Sequence, residues 1–494
     1  MTHPNILWIC TDQQRFDTLG CYGNEFVDTP NIDQLSNDGV RFDRCYCQSP
    51  VCTPSRASFL TGRYPRTNGV RQNGQSIPTE ETLVTAQLAD NGYTCGLSGK
   101  LHISNCNPEK EEERPMMERR IDDGYAQFHW SHDTQRHWPT NEYYQWLASR
   151  NVEFERTPVR DSEYVTTSVP AQHHQTTWCT EKGVEFVEAN EDFDEPWLFS
   201  VNMFDPHHPF DPPQEYLERY LDRLDEIPLP NYESGELDDK PVFQRQDHRH
   251  AYNTPGLFPF PEMDDNDHRL LRAAYWAMCD LIDDQVGQLL DALERTDQRE
   301  DTIVIFTSDH GELLGDHGIY LKGPYFYEPS VRVPLIISWP TELPTGIETN
   351  ALVELSDLAP TLLEAAGEEP HPGMQAESLW PRLYGDEPLE RHRESVLSEL
   401  HIDERRASLS LDADDELENE AIAQATMLRT DRYKLVHVRG DGVGELYDLT
   451  EDPVERNNRW NDPAYADVKR ELLNRLVNRL SGAVDPLPQR KAPW

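Results

Sequence analysis

Four short segments place side chains able to hold a cation or an anion directly after apolar runs. "NILWICTDQQR" ends in Asp12 and Gln13, and "TIVIFTSDHGE" ends in Asp309 and His310. Two carboxylates, one amide oxygen and one imidazole make a donor set suited to calcium or magnesium, and the imidazole also admits manganese. "YTCGLSGKLHI" leads into Lys100 and His102, and "PWLFSVNMFDPHHPF" leads into His207 and His208. Arg56 and Lys322 lie in "TPSRASFL" and "GIYLKGPYF". Basic residues total 45 against 90 acidic ones. Their gathering at these points therefore indicates an electropositive pocket for an anionic substrate.

Cys52 stands in "SPVCTPSRASFLTGRYP", which reads as the opening of a helix. Pro54 suits a first helical position, Thr53 a cap, and Ala57, Phe59 and Leu60 follow at helical spacing. A helix N-terminus carries unpaired N–H groups and the positive end of the dipole, which favour an anion and activate a nucleophile. On these residues alone, a small buried cysteine near a turn is the plainer reading.

The elements that must position these groups follow from the same runs. Strands that are apolar on both faces belong in the middle of a sheet covered by helices. A helical pattern spans 268 to 295, and alternation of strand and helix predicts a large, mostly parallel α/β sheet sandwiched by helices. Such sheets bind ligands at the carboxyl ends of their strands, where all four polar clusters fall. Residues 104 to 124, 221 to 266 and 403 to 424 are acidic or proline-rich and weakly periodic, and read as loop insertions or solvated helices. A catalytic domain over 1–385 is expected, with a smaller α+β subdomain over 386–494 carrying an antiparallel sheet. The strand pattern "MLRTDRYKLVHV" and the amphipathic "VKRELLNRLVNRLSG" belong to the latter.

The formal net charge of −45 is spread along the chain. This balance matches a salt-adapted microbial protein and argues against a nucleic-acid partner, which requires a basic face. The start of the chain lacks an export-signal pattern, and no run reaches membrane-span length. Nine cysteines, odd in number and without CxxC pairs, fit a reducing compartment. A soluble, cytoplasmic protein is expected.

Taken together, the motifs resemble the sulfatase family of the alkaline-phosphatase-like superfamily. C-x-P-S-R stands intact as Cys52, Pro54, Ser55 and Arg56, and "GKLH", "DPHHP", "SDHGE", "LKGPYFYEPSVRVPLI" and "ELYDLTEDPVE" follow in family order. The resemblance implies that a separate maturation enzyme oxidises Cys52 to formylglycine. A hydroxyl of its metal-bound hydrate would then attack the sulfur of a sulfate monoester and release the alcohol. The second hydroxyl would lose its proton and expel sulfate. It implies Asp12, Gln13, Asp309, His310 and modified Cys52 as ligands of one divalent metal, calcium first, with manganese or magnesium as alternatives. Arg56 and Lys100 would stabilise the hydrated aldehyde and the anion, His102 would accept a proton, Lys322 would hold sulfate oxygens, and His207 would protonate the leaving group. Either histidine of "DPHHP" fits that last role.

Many sulfatases carry aspartate in place of Gln13 and asparagine in place of His310. The Asp-Gln with Asp-His pattern resembles choline-sulfatase-like enzymes and phosphonate or phosphate ester hydrolases, and lowers the site's negative charge by one at Gln13. The intact C-x-P-S-R motif nevertheless puts sulfuric ester hydrolysis first. A phosphonate monoester hydrolase or phosphodiesterase, and an unconverted anion-binding relative, are the alternatives. The loops at 104 to 150 and 205 to 265 are expected to build the outer pocket, with Trp130, Trp138 and Tyr143 as candidate ring-binding residues.

Self-repulsion of so acidic a surface is screened as the Debye length falls to about 3 Å at 1 M salt. The melting temperature is expected to rise steadily between dilute buffer and molar potassium chloride. Full activity with an unchanged melting temperature in dilute buffer would rule out salt adaptation.

Overall fold

The computed structural model describes residues 3–106, 117–385, 387–402, 424–440 and 442–488. Its centre is an eight-stranded sheet formed by β1 (Asn5–Thr11), β2 (Val40–Phe42), β3 (Thr94–Gly99), β4 (Tyr125–Trp130), β5 (Trp197–Asn202), β6 (Thr302–Ser308), β7 (Leu335–Ser338) and β8 (Ile347–Thr349). The spatial order is β8-β2-β7-β6-β1-β5-β3-β4. Strand β7 runs antiparallel to both its neighbours, and the other pairings are parallel. The expected mostly parallel α/β sheet is present.

Alternate side chains of β1 enter opposite cores. Ile6, Trp8 and Cys10 face a core that includes Phe59 of helix α1 (Cys52–Thr61). Leu7 and Ile9 face one that includes Trp178 of α2 (Gln175–Ala189) and Ile282 of α3 (Asp265–Arg295). A strand covered on both faces must be apolar throughout, since each buried aliphatic side chain is worth about 1.5–3 kcal/mol and an unpaired polar one costs a similar amount. Helix α3 begins three residues before the expected position 268. Asp264 and Asp267 close a capping box there and satisfy N–H groups that the helix itself leaves unbonded.

Strand register carries the chemistry. Thr11 pairs with Ser308, Cys10 with Asn202, and Gly99 with Asn202. Asp12, Asp309 and Lys100, each the next residue in its strand, thus reach one edge together.

A second sheet of four antiparallel strands comprises β9 (Ser395–His401), β10 (Gln424–Thr430), β11 (Tyr433–Val438) and β12 (Gly444–Asp448), covered by α4 (Ala466–Gly482). "MLRTDRYKLVHV", read as one strand pattern, is a hairpin whose strands meet at Asp431 and Arg432. Of the expected insertions at 104–124 and 403–424, residues 107–116 and 403–423 lie outside the described residues. Residues 221 to 266, expected to be loops or solvated helices, are mostly loop with one short helix (Val242–Arg249), and part of them contacts the second sheet. Within them, Lys240 Nζ donates to the Tyr447 hydroxyl at 2.6 Å and Gln244 Nε2 to Glu445 at 2.6 Å. These two contacts are polar and leave no periodic trace in the sequence. Among the described residues no helix is long and apolar enough to cross a membrane.

Lys434 of β11 ties the second sheet to the short helix Glu328–Val331 and to the turn at Glu455, with Nζ 2.8 Å from Glu328 and 2.6 Å from Glu455 and its side chain fully buried. Removing one member of a buried ion cluster leaves uncompensated charge, which costs about 3–5 kcal/mol. Lys434→Ala is expected to lose that much in urea unfolding. A loss below about 1 kcal/mol would show that the cluster does not anchor the second sheet.

Candidate active site

Cys52 is the first residue of α1, with Val51 rather than Thr53 in the capping position. The Thr53 side chain is drawn elsewhere, its hydroxyl lying 3.1 Å from His102 Nε2 while its N–H donates to Asn73 Oδ1 at 2.9 Å. This frees the N-terminus of α1 to point Cys52 at the strand edge. Candidate metal-binding atoms of Asp12, Cys52, Asp309 and His310 lie within 4.8 Å of one another, all buried. Cys52 Sγ is 3.2 Å from His310 Nε2, 2.9 Å from Lys322 Nζ and 3.6 Å from Lys100 Nζ.

Around this core the charges alternate. Lys100 is ion-paired to Asp12, and Arg56 donates through Nε to Asp309 Oδ2 at 2.7 Å and through NH1 to the Lys100 carbonyl at 2.7 Å. Burial alone would raise the Asp12 carboxyl. Lys100, His207, Lys322 and Arg56 outweigh that and hold it well below the ordinary range. Burial and the Asp12 charge would likewise raise the Cys52 thiol, yet Lys100, Lys322 and His310 bring it below its usual value. Burial opposes charge on Lys100 and Lys322, but Asp12 and the Cys52 sulfur keep both ammonium groups favoured.

Gln13 reaches the same edge. Its backbone is left-handed (φ 69°), its N–H donates to Asp309 Oδ1 at 3.0 Å, and its side-chain oxygen is buried with no protein partner. His102, His207 and His208 are half-buried and stand around the core rather than on Cys52. His207 and His208 stack with ring centroids 4.1 Å apart, and His207 Nδ1 lies 2.5 Å from the His208 carbonyl. That carbonyl only accepts, so Nδ1 carries the hydrogen. Burial, then Lys322, keeps His207 well below its ordinary pKa, and burial, then Lys100, does the same for His102.

Three contributors escaped sequence reasoning. Ser55 donates to the Asp309 carbonyl at 2.5 Å, and Asn73 holds Thr53. Glu118, inside the expected acidic insertion, is buried and accepts N–H bonds from His102 and Ser104 at 2.7 and 2.8 Å. Burial pushes its carboxyl up to about 7 despite those bonds. Ser55 lay within a quoted motif, but an acid among acids gave no signal. Of the candidate ring-binding residues, Trp130 and Tyr143 are fully buried and serve packing. Trp138 is half-buried and stacks parallel to Trp130 at 6.3 Å, with Arg136 over its ring.

A cysteine on the first turn of a helix, set against a carboxylate-rich strand edge and flanked by two lysines, makes a buried site suited to an anionic ligand. The sulfatase family model matches residues 4–368, and the C-terminal model of N-sulphoglucosamine sulphohydrolase matches 315–481. The chain belongs to the sulfatase family and is a sulfuric ester hydrolase. An uncharacterized sulfatase of Escherichia coli K12 is 30% identical over 503 residues, covering 100% of this chain and 90% of that one. An N-acetylglucosamine-6-O-sulfatase of Bacteroides thetaiotaomicron is 26% identical, covering 99% and 88%. The crystal structure of a phosphonate monoester hydrolase of Agrobacterium radiobacter superposes with a TM-score of 0.83 at 26% identity, covering 98% and 97%.

Gly99 sets the Lys100 position. Its φ is +98°, and a Cβ there would meet the Asn202 carbonyl oxygen at 1.9 Å. Gly99→Ala is expected to cost about 2 kcal/mol or more and to lower kcat by displacing Lys100. A variant with wild-type stability and kcat would show that the strand end yields without moving the lysine.

Proposed function

We propose that the protein hydrolyses a sulfate monoester over Cys52 after a separate maturation enzyme has converted that cysteine to formylglycine, yielding alcohol and sulfate. The observation that supports this most is the packing of Lys100, Lys322 and His310 around Sγ on the first turn of α1. The hydrated aldehyde supplies an oxygen nucleophile for attack on sulfur and a second hydroxyl for release of sulfate.

The donors fit a divalent cation: two carboxylates, one imidazole, the converted Cys52 and the unpartnered Gln13 oxygen. Calcium is the first choice, ahead of manganese or magnesium. When bound, the ion neutralises negative charge on the ester as it reacts. Arg56 fixes the Asp309 carboxylate, and Lys100 and Lys322 receive the sulfate oxygens. His102 would help accept the proton lost by the hydrated aldehyde. His207 delivers one to the departing alcohol, the approach of an anionic ester favouring its protonated form. We take 1–385 as the catalytic unit and 386–494 as its subdomain. Nine unpaired cysteines support a cytoplasmic setting.

Phosphonate monoester hydrolysis is the second reading, favoured by Gln13 and His310 together with the superposition on the Agrobacterium enzyme. The test is the mass of the tryptic Cys52 peptide from protein made in its native host, followed by kcat/KM on aryl sulfates and aryl phosphonates. A loss of about 18 mass units, faster sulfate turnover and a fall in kcat of about 10³-fold or more in Cys52→Ala are expected. Conversion with faster phosphonate turnover would establish the second reading. A fully unconverted cysteine would leave an anion-binding relative.

A further inference from the structure

Glu312 is fully buried one residue beyond Gly311, in the motif that supplies Asp309 and His310. Its Oε1 accepts the Leu314 N–H at 2.8 Å and the Leu321 N–H at 2.5 Å, and its Oε2 accepts the side-chain amide nitrogen of Gln13. Leu321 immediately precedes Lys322. One carboxylate therefore joins the turn that carries Lys322 to the residue that departs from the usual aspartate pattern.

An ionised carboxylate only accepts hydrogen bonds, whereas an amide has one donating and one accepting end. With its NH2 committed to Glu312, Gln13 must present its oxygen elsewhere, and that oxygen is the buried acceptor left without a protein partner. The opposite orientation would set oxygen against carboxylate and turn an NH2, which cannot ligate a cation, toward the donors. The backbone of Gln13 cannot drift to compensate, because its N–H is held by Asp309 and its carbonyl accepts the Tyr275 hydroxyl. We infer that Glu312 is a positioning residue which fixes the Gln13 amide with its oxygen toward the metal donors. This rests on the metal reading of the site proposed above.

Exchange of the pair separates this role from simple support of the turn. In Glu312→Gln the new side-chain oxygen still accepts from Leu314 and Leu321, so the turn keeps its bonds. Its NH2 now faces the NH2 of Gln13, and one amide must flip. Manganese affinity, measured by calorimetric titration of the metal-stripped full chain, is expected to weaken about 10- to 100-fold, the range typical of residues that orient metal ligands. Adding Gln13→Glu restores a donor–acceptor pair in reverse, and Q13E/E312Q is expected to bind manganese within about threefold of wild type. If Glu312→Gln alone does not fold, the double variant decides. Its failure to recover manganese binding would overturn the inference, as would wild-type affinity in Glu312→Gln. A wild-type protein that binds no manganese, calcium or magnesium would sink the metal reading and this inference with it. A wild type that binds while Glu312→Gln binds equally would sink the inference alone.

Discussion

The ion pair between Arg56 and Asp309 is the contact on which the pocket turns. Both side chains are almost wholly removed from solvent, and the same guanidinium approaches Asp12 at 3.6 Å. Taking such charges out of water costs several kcal/mol per ion, so the arrangement survives only where each has partners on several sides. The pair docks the first turns of α1 against the ends of β1 and β6, and so sets where Cys52 stands relative to both carboxylates. Lys100 and Lys322 complete the compensation from β3 and from the loop before β7. A chain with this acidic excess places three of its scarce cations within one pocket.

Strand register and helix placement act as one constraint. Because β1 pairs with both β5 and β6 in parallel, its last residue has neighbours that end at the same level. Any residue following such a strand is delivered to a common edge without long loops. The electrostatics then follow from proximity: cations favour ionised Asp12 and a lowered Cys52 thiol, while the same cations and burial keep His102 and His207 neutral in the free protein. A mixed set of charged and neutral groups thus coexists within a few ångströms.

Much of this was legible in the sequence, for identifiable reasons. Buried parallel strands advertise themselves as apolar runs, so Asp12, Lys100, His207 and Asp309 could be placed at one edge from "ILWIC", "LSG", "LFSVN" and "IVIFTS". The Cys52 helix was recognised, although its cap was placed two residues late, because Thr53 and Pro54 carry the usual capping signal while the side chain of Thr53 is engaged by His102. What stayed hidden depends on long-range polar contacts. Glu118 and Glu312 look like solvated acids until the fold surrounds them with N–H donors. Lys240 and Gln244 looked like part of an insertion because hydrogen bonds to the second sheet leave no periodic trace. Trp130 and Tyr143 erred in the other direction, as large rings near a site are as readily packing as recognition.

Cys52 is 1% exposed, flanked by a helix turn, a strand edge and two lysines. On the proposed mechanism this makes maturation a race against folding. No second enzyme can surround a thiol so enclosed, so oxidation must take place on the newly made chain before α1 docks onto the sheet. A molecule that folds first is locked in the thiol form for the lifetime of its native state. The active fraction of any preparation would then record the ratio of two rates at synthesis rather than an equilibrium, and later addition of oxidant or metal would leave it unchanged.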